Sequence, residues 1–161
     1  MSVLKTIAEE LERARGAVVH VGVLASRAAA PTKPGSISVV ELAAIHEFGA
    51  PGAGIPERSF IRSTFREHAA AELQVNLRKL AKGIVSGKLT ADRALNVLGA
   101  WGASAVKNSI VKRMIKQDLA PETIRRKNRT AKDKGDATTA LVDTGRLLGA
   151  IAYEVIFGGA K

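Results

Sequence analysis

The sequence contains one tripeptide with an obvious catalytic interpretation, Asp143-Thr144-Gly145, which also occurs in aspartic proteases. Two such aspartates, brought together in a homodimer, share one proton and act as general acid and base. Arg146 follows directly, and its positive charge favours an ionised carboxylate over a shared proton. The stretch from Arg146 to Leu148 is typical of a first helical turn, whereas the proteases hold the tripeptide in a loop amid strands. We therefore interpret Asp143 as a helix-capping residue and not as a catalytic one.

Two other stretches begin like known sites but lack an essential residue. His46-Glu47 starts like the zinc-protease motif HExxH, but Ala50 stands at the position of the second histidine. The glycine-rich stretch 49–54 is not followed by the Gly-Lys-Ser/Thr of a phosphate-binding loop. The chain has no cysteine, which excludes a disulfide framework, a zinc finger, an iron–sulfur cluster and a cysteine nucleophile. We expect neither a metal nor a cofactor, and we predict that the protein is not an enzyme.

The overall composition indicates one ordinary globular domain. The chain has 161 residues, of which 46% are hydrophobic and 25% charged, so we predict a single domain over residues 1–161. This composition excludes a collagen, a low-complexity chain and a wholly disordered one. No apolar run approaches the roughly 20 residues of a membrane span. The N-terminus also lacks the basic start and apolar block of a signal peptide, so we expect assembly in the cytoplasm without membrane contact.

The positive charge is concentrated in the second half of the chain. The formal net charge is +10; residues 1–80 hold 10 basic and 8 acidic side chains (net +2), and residues 81–161 hold 15 and 7 (net +8). This excess is either a solvated basic loop or a surface that faces nucleic acid or an acidic partner. Few aromatic residues interleave with it, so any contact with DNA is expected to be electrostatic and independent of sequence. The basic candidates are Lys107, Lys112, Arg113, Lys116, Arg125, Arg126, Lys127, Arg129, Lys132 and Lys134.

The elements that position these residues follow from the hydrophobic periodicity. The pattern predicts an α+β fold, in which a small β-sheet packs with two long helices and a short N-terminal helix. The N-terminal helix is expected over residues 3–15, and strands over residues 17–24 and 150–157. Ser59 is expected to cap the first long helix and Thr90 the second.

Local signals refine this outline. Ser38 and Glu41 have the spacing of a capping box, which predicts a short helix directly after Ser38. In the second long helix, the residues expected on the apolar face are Leu95, Leu98, Trp101, Ala105, Ile110 and Met114. Gly and Pro clusters and polar stretches predict long flexible loops at about residues 25–36, 49–57 and 118–140.

Two segments of the sequence resemble a known protein family. The first motif segment is IHEFG (45–49), a short glycine-rich gap and IPERSFIR (55–62). The second motif segment is LAPETIRRK (119–127), followed by LVDTGRL (141–147). Their order and spacing resemble the tail-completion and neck (head–tail connector) proteins of long-tailed bacteriophages, including virion morphogenesis proteins. The resemblance covers roughly residues 17–157.

The resemblance implies a structural virion protein without catalytic activity. Such a protein is a small α+β subunit of a ring, typically a hexamer, which lies at the head–tail junction between the head connector or stopper and the tail tube. DNA passes through the lumen, which the basic residues 107–134 would line unless they contact a partner. The role is either that of a tail terminator or that of a neck connector. The loop and interface candidates are His46, Glu47, Phe48, Gly49, Pro56, Arg58, Phe60, Arg62, Asp143, Thr144, Gly145 and Leu147.

The chain also departs from the family pattern and leaves an alternative open. The family often reads Pro-Ala-Arg-Pro-Phe where residues 56–60 read Pro-Glu-Arg-Ser-Phe. Phe48 and Phe60 flank the glycine-rich gap and are expected to anchor both of its ends in the core. Arg58 and Arg62 are expected to pair with acidic residues across a subunit interface. The alternative function is that of a small basic protein which binds nucleic acid without sequence preference.

Overall fold

The fold is known from a computed structural model, which describes residues 2–26, 37–112, 114–115 and 145–158. Five α-helices and two strands lie in this part of the chain. They are α1 (Val3–Ala14), β1 (Val18–Val23), α2 (Val39–Phe48), α3 (Ala70–Val85), α4 (Ala91–Val111), α5 (Arg146–Ala150) and β2 (Ile151–Ile156). Helices combined with a small antiparallel sheet confirm the predicted α+β fold. Of the predicted loops, 118–140 and all but the start of 25–36 lie outside the described residues.

The sheet pairs the two ends of the described chain. In the antiparallel register, Val18 lies opposite Ile156, Val21 opposite Tyr153 and Val23 opposite Ile151. One face of the sheet packs on α4, where two glycines allow the strands to approach the helix. A Cβ atom on Gly102 would lie 3.0 Å from Cγ2 of Val21, and one on Gly99 would collide with the Tyr153 ring. Close contact between helix and sheet therefore depends on glycine at position 99, and a side chain at position 102 would require Val21 to shift.

The buried face of α4 differs from the predicted one. Of the six predicted apolar positions, Ile110 is completely buried, as expected. The prediction is wrong for the other five: Leu95, Leu98, Trp101 and Ala105 are only half-buried, and Met114 is exposed beyond the end of the helix. Where α4 meets the sheet, its buried residues include Gly99 and Gly102, which let the strands approach closely. Further along the helix, Val106 and Ile110 are completely buried in the core. The main core joins α2, α4, α5 and β2 through Val39, Ala43, Phe60, Ala103, Val106, Ile110, Ile115, Leu147 and Ile151.

The first long helix is also interrupted, which differs from the single continuous helix predicted from Ser59. A π-type turn spans Thr64–His68, and α3 begins only after Ala69. The Thr64 hydroxyl donates to the carbonyl of Phe60 at 2.6 Å, and the amide of Ala69 donates to the carbonyl of Thr64 at 2.7 Å. These contacts widen the turn and separate the buried start of the segment from the more exposed α3.

Helix α1 lies across the turn between α3 and α4. Its Glu10 carboxylate accepts a hydrogen bond of 2.6 Å from the backbone amide of Ala91 and so caps the start of α4. The hydroxyl of Thr90 caps the same end by accepting from the amide of Arg93 at 3.3 Å, as predicted. Among the described helices, none combines the length and the apolar character that crossing a membrane requires.

Candidate functional site

The first motif segment begins with the predicted capping box. The Ser38 hydroxyl accepts from the amide of Glu41 at 3.1 Å, and the Glu41 carboxylate accepts from the amide of Ser38 at 2.8 Å. The hydrogen bonds from Ser38 lower the pKa of the Glu41 carboxyl below its usual value. These contacts fix where α2 starts and therefore which of its residues face the core.

The glycine at the end of α2 is required by its backbone. Gly49 has φ +74°, and a Cβ atom there would lie 2.9 Å from the backbone nitrogen of Glu57. The chain then folds back through a short turn in which Ala50 and Ile55 form an isolated antiparallel bridge. The returning strand is held by the amide of Arg58, which donates to the carbonyl of His46 at 2.7 Å. Segment 49–57, predicted as a flexible loop, thus contains a hydrogen-bonded turn.

Glu47 is the centre of the first motif segment. Its side chain is only 6% exposed and accepts hydrogen bonds from the Ser59 hydroxyl at 2.9 Å, the Ile61 amide at 2.9 Å and the Arg62 amide at 3.1 Å. The Arg62 guanidinium donates a fourth bond from Nε at 2.9 Å. Together these contacts form what we call the Glu47 clasp (Glu47, Ser59, Ile61 and Arg62). The expectation that Ser59 caps the helix is wrong, because the carboxylate of Glu47 binds the free backbone amides in its place.

Arg62 closes the clasp from the solvent side. Its guanidinium also donates to the backbone carbonyl of Glu47 at 2.8 Å and to the carboxylate of Glu57 at 2.9 Å, and it stacks 4.8 Å above the centre of the Phe48 ring. The hydrogen bond to Glu47 raises the pKa of Arg62 above its usual value, so the side chain stays charged. Arg62 therefore has acidic partners within its own chain, whereas the sequence predicted a partner across a subunit interface.

The two aromatic residues that flank the turn have opposite environments. Phe60 is completely buried and anchors the returning strand in the core, as predicted. Phe48 is 64% exposed, so the expectation that it anchors the other end in the core is wrong. The physical reason is its position at the last turn of α2, on the side away from the buried residues Val39 and Ala43. Arg58 is also buried, at 7% exposure, on the returning strand that follows Pro56.

The second motif segment is described only at its end. Gly145 has φ +68° and precedes α5, whose Leu147 is buried in the main core. Asp143 and Thr144 lie outside the described residues. Of the basic candidates, Lys107 is half-buried on α4 and Lys112 is exposed just after it. The others lie outside the described residues: Arg113, Lys116, Arg125, Arg126, Lys127, Arg129, Lys132 and Lys134.

The geometry of the clasp suits it to hold two chain segments together. A carboxylate has about four hydrogen-bonding positions, and four donors contact that of Glu47. A group with this environment holds chain segments together. In the described residues, no group of three or more acidic or histidine side chains is arranged to hold a metal ion.

Sequence reasoning missed Ser59 and Glu57 as partners in this site. A signal was present, because Glu47 lies at the spacing i, i+4, i+8 from Val39 and Ala43 on the buried face of α2. A carboxylate on a core-facing position requires hydrogen-bond donors nearby, which the following segment had to supply.

No match to this chain was found among protein families, curated proteins or solved structures.

Proposed function

We propose that this chain is a structural virion protein that forms a ring at the head–tail junction of a long-tailed bacteriophage. The observation that carries the proposal is the pair of motif segments, in order and at family-like spacing, on a chain of this size. We propose either a tail-terminator or a neck-connector role, with DNA passing through the lumen of a ring that is typically hexameric. No catalytic step is part of this proposal.

The Glu47 clasp supports the proposal because it gives the first motif segment a structural purpose. The clasp ties the end of α2 to the start of the segment that leads into α3, over 12 to 15 residues of chain. Its Glu and Arg charges are satisfied within one subunit, so the subunit keeps its shape before it meets a neighbour. A ring subunit needs such a preformed frame, since ordering loops on assembly costs affinity.

Exposed apolar side chains at the two ends of α2 provide contact area for assembly. Phe48 is 64% exposed with Arg62 stacked against it, and Ile37 at the start of α2 is 54% exposed. Aromatic residues and arginine are enriched at the centres of protein interfaces. The face of α2 that carries Phe48 is therefore a good candidate for contact with another ring subunit or with the tail tube.

The net charge of +10 favours a second candidate, a small basic protein that binds nucleic acid without sequence preference. The two functions differ in where the protein is found. A ring protein is a stoichiometric component of finished virions, whereas a nucleic-acid-binding protein acts as a monomer or dimer on DNA and is not required in the particle.

A complementation experiment tests the proposal. Deletion of the gene from the phage that encodes it should leave DNA-filled heads and tails that do not join, and wild-type protein should restore infectious particles. Phe48→Ser should restore few particles, whereas Val97→Ser, at a 49% exposed position on α4, should restore them as wild type does. Normal joined particles in the deletion strain would contradict the proposal.

A further inference from the structure

Helix α3 presents a strip of positive charge directly to solvent. Arg78, Lys79 and Lys82 are all exposed and lie within about one helical turn. The side of α3 that packs on the rest of the protein carries Leu73 and Ile84 instead. At 100° per residue, the three cations are centred nearly opposite that buried side. Their long side chains therefore extend away from the body of the protein.

No acidic residue is close to the strip in sequence. No Asp or Glu occurs between Glu72 and Asp92, and Lys88 adds a fourth exposed cation in the turn after α3. Glu72 itself accepts a hydrogen bond of 2.8 Å from the indole nitrogen of Trp101. The ion pairs of Arg15 with Glu12 and of Arg62 with Glu47 and Glu57 do not involve this strip. We call Arg78, Lys79, Lys82 and Lys88 the α3 basic strip.

We propose that the α3 basic strip is a contact surface for the phosphate backbone of duplex DNA. Duplex DNA carries about one negative charge per 1.7 Å of its axis, so a row of unpaired cations gains affinity by releasing condensed counterions. The described part of the strip contains no aromatic side chain that stacks on a base. The contact is therefore sequence-independent, as the passage of DNA along a protein surface requires.

The composition of the strip favours DNA over an acidic protein as the partner. Lysine is depleted at the centres of protein interfaces, which need buried apolar anchors. Three exposed apolar side chains lie on α3, namely Val75, Leu77 and Val85. At about 100° and about 1.5 Å per residue they are dispersed around and along the helix, so they form no continuous apolar patch. A surface of this kind holds phosphate well and packs poorly against protein. That the strip faces the lumen rests on the proposed function, whereas its binding to DNA does not.

The salt dependence of DNA binding tests the proposal. The triple variant Arg78→Gln/Lys79→Gln/Lys82→Gln is compared with wild type by fluorescence anisotropy on a labelled duplex of mixed sequence, from low to physiological salt. The slope of log K against log salt should become shallower by about 0.9 for each phosphate that the variant no longer neutralises, or up to about 2.7 in all. The decrease in affinity should be equal for duplexes of unrelated sequence. Far-UV circular dichroism confirms that the variant is folded.

A matched control removes the same charge elsewhere. Lys5→Gln/Arg66→Gln/Arg93→Gln also lowers the net charge by three at exposed positions, one on α1, one in the π-type turn before α3 and one on α4. Its slope should equal that of wild type. Equal slopes for the two triple variants, or no measurable binding of wild type to the duplex, would overturn the proposal. So would a strip variant that binds DNA normally but no longer co-purifies with the tail tube, because the strip then contacts protein. If virions contain a normal ring but the strip variant has the same salt-dependence slope as wild type, only this inference is refuted. If the strip variant has a shallower slope but virions contain no ring of this chain, only the proposed function is refuted.

Discussion

The Glu47 clasp makes a sharp prediction about a substitution that changes one atom. Glu47→Gln keeps the shape of the side chain but replaces one carboxylate oxygen by an amide nitrogen, which donates rather than accepts. One carboxylate oxygen accepts from Ser59 and from two nitrogens of Arg62, and the other accepts from the amide of Ile61. In the best orientation, the amide oxygen of the substituted side chain keeps the Ser59 hydroxyl and the two Arg62 nitrogens as donors. Its amide nitrogen, itself a donor, then faces the backbone amide of Ile61.

The expected decrease in stability follows from these hydrogen bonds. One buried backbone amide is left without its acceptor, which costs about 1–3 kcal/mol. The remaining bonds are no longer charge-assisted, and charge-assisted bonds are roughly twice as strong as neutral ones. We therefore expect Glu47→Gln to lower the free energy of unfolding by about 3 kcal/mol. This is a large share of the roughly 5–15 kcal/mol that is typical of a whole domain.

Urea unfolding measures this decrease, with far-UV circular dichroism and the fluorescence of Trp101, the single tryptophan, as probes. Glu57→Gln is the matched control, since the Glu57 carboxylate also pairs with Arg62 but is 54% exposed. Its pair is screened by solvent, so we expect an almost unchanged midpoint. Equal midpoints for Glu47→Gln, Glu57→Gln and wild type would refute the claim that the clasp holds the first motif segment together.

Two further predictions concern packing and capping. Gly99→Ala should destabilise the protein by about 1–3 kcal/mol, because the new methyl group collides with the Tyr153 ring. The control Gly149→Ala, in open space on α5, should be neutral or slightly stabilising. Thermal unfolding of both variants and wild type measures the difference. Ser38→Ala should cost about 1 kcal/mol at pH 7 through removal of the cap of α2. Folding lowers the pKa of Glu41, so its contribution is present above the unfolded-state pKa and is lost as the pH falls through the folded-state pKa. The gap between Ser38→Ala and wild type should therefore narrow in acid, and a gap that stays constant from pH 7 to pH 3 would contradict this reasoning.

Features that depend on neighbouring residues were predictable from the sequence. The capping box of α2 and the Thr90 cap of α4 each involve residues three positions apart, so their residue types alone specify them. The alternating residue pattern of 150–157 likewise predicted strand β2. The α+β class followed from these local patterns together.

Features that depend on long-range geometry were not predictable in the same way. The donors of Glu47 lie 12 to 15 residues further along the chain, and only the turn after Gly49 brings them close. Phe48 and Phe60 have the same residue type and similar surroundings in sequence, but the direction of the last turn of α2 exposes one and the core buries the other. On α4, Gly99 and Gly102 face the sheet because the strands lie close to the helix there. The periodicity of apolar residues along α4 does not reveal this contact.

The assembly itself is tested most directly by cryo-electron microscopy of virions, or of the chain co-expressed with its portal and tail-tube proteins. The account predicts a closed ring of this chain between head and tail tube, with α3 facing the DNA channel and the Glu47 clasp intact in every subunit. Particles in which the neck contains no density for this chain would contradict the account, and the sequence-independent nucleic-acid-binding protein would then be the better interpretation.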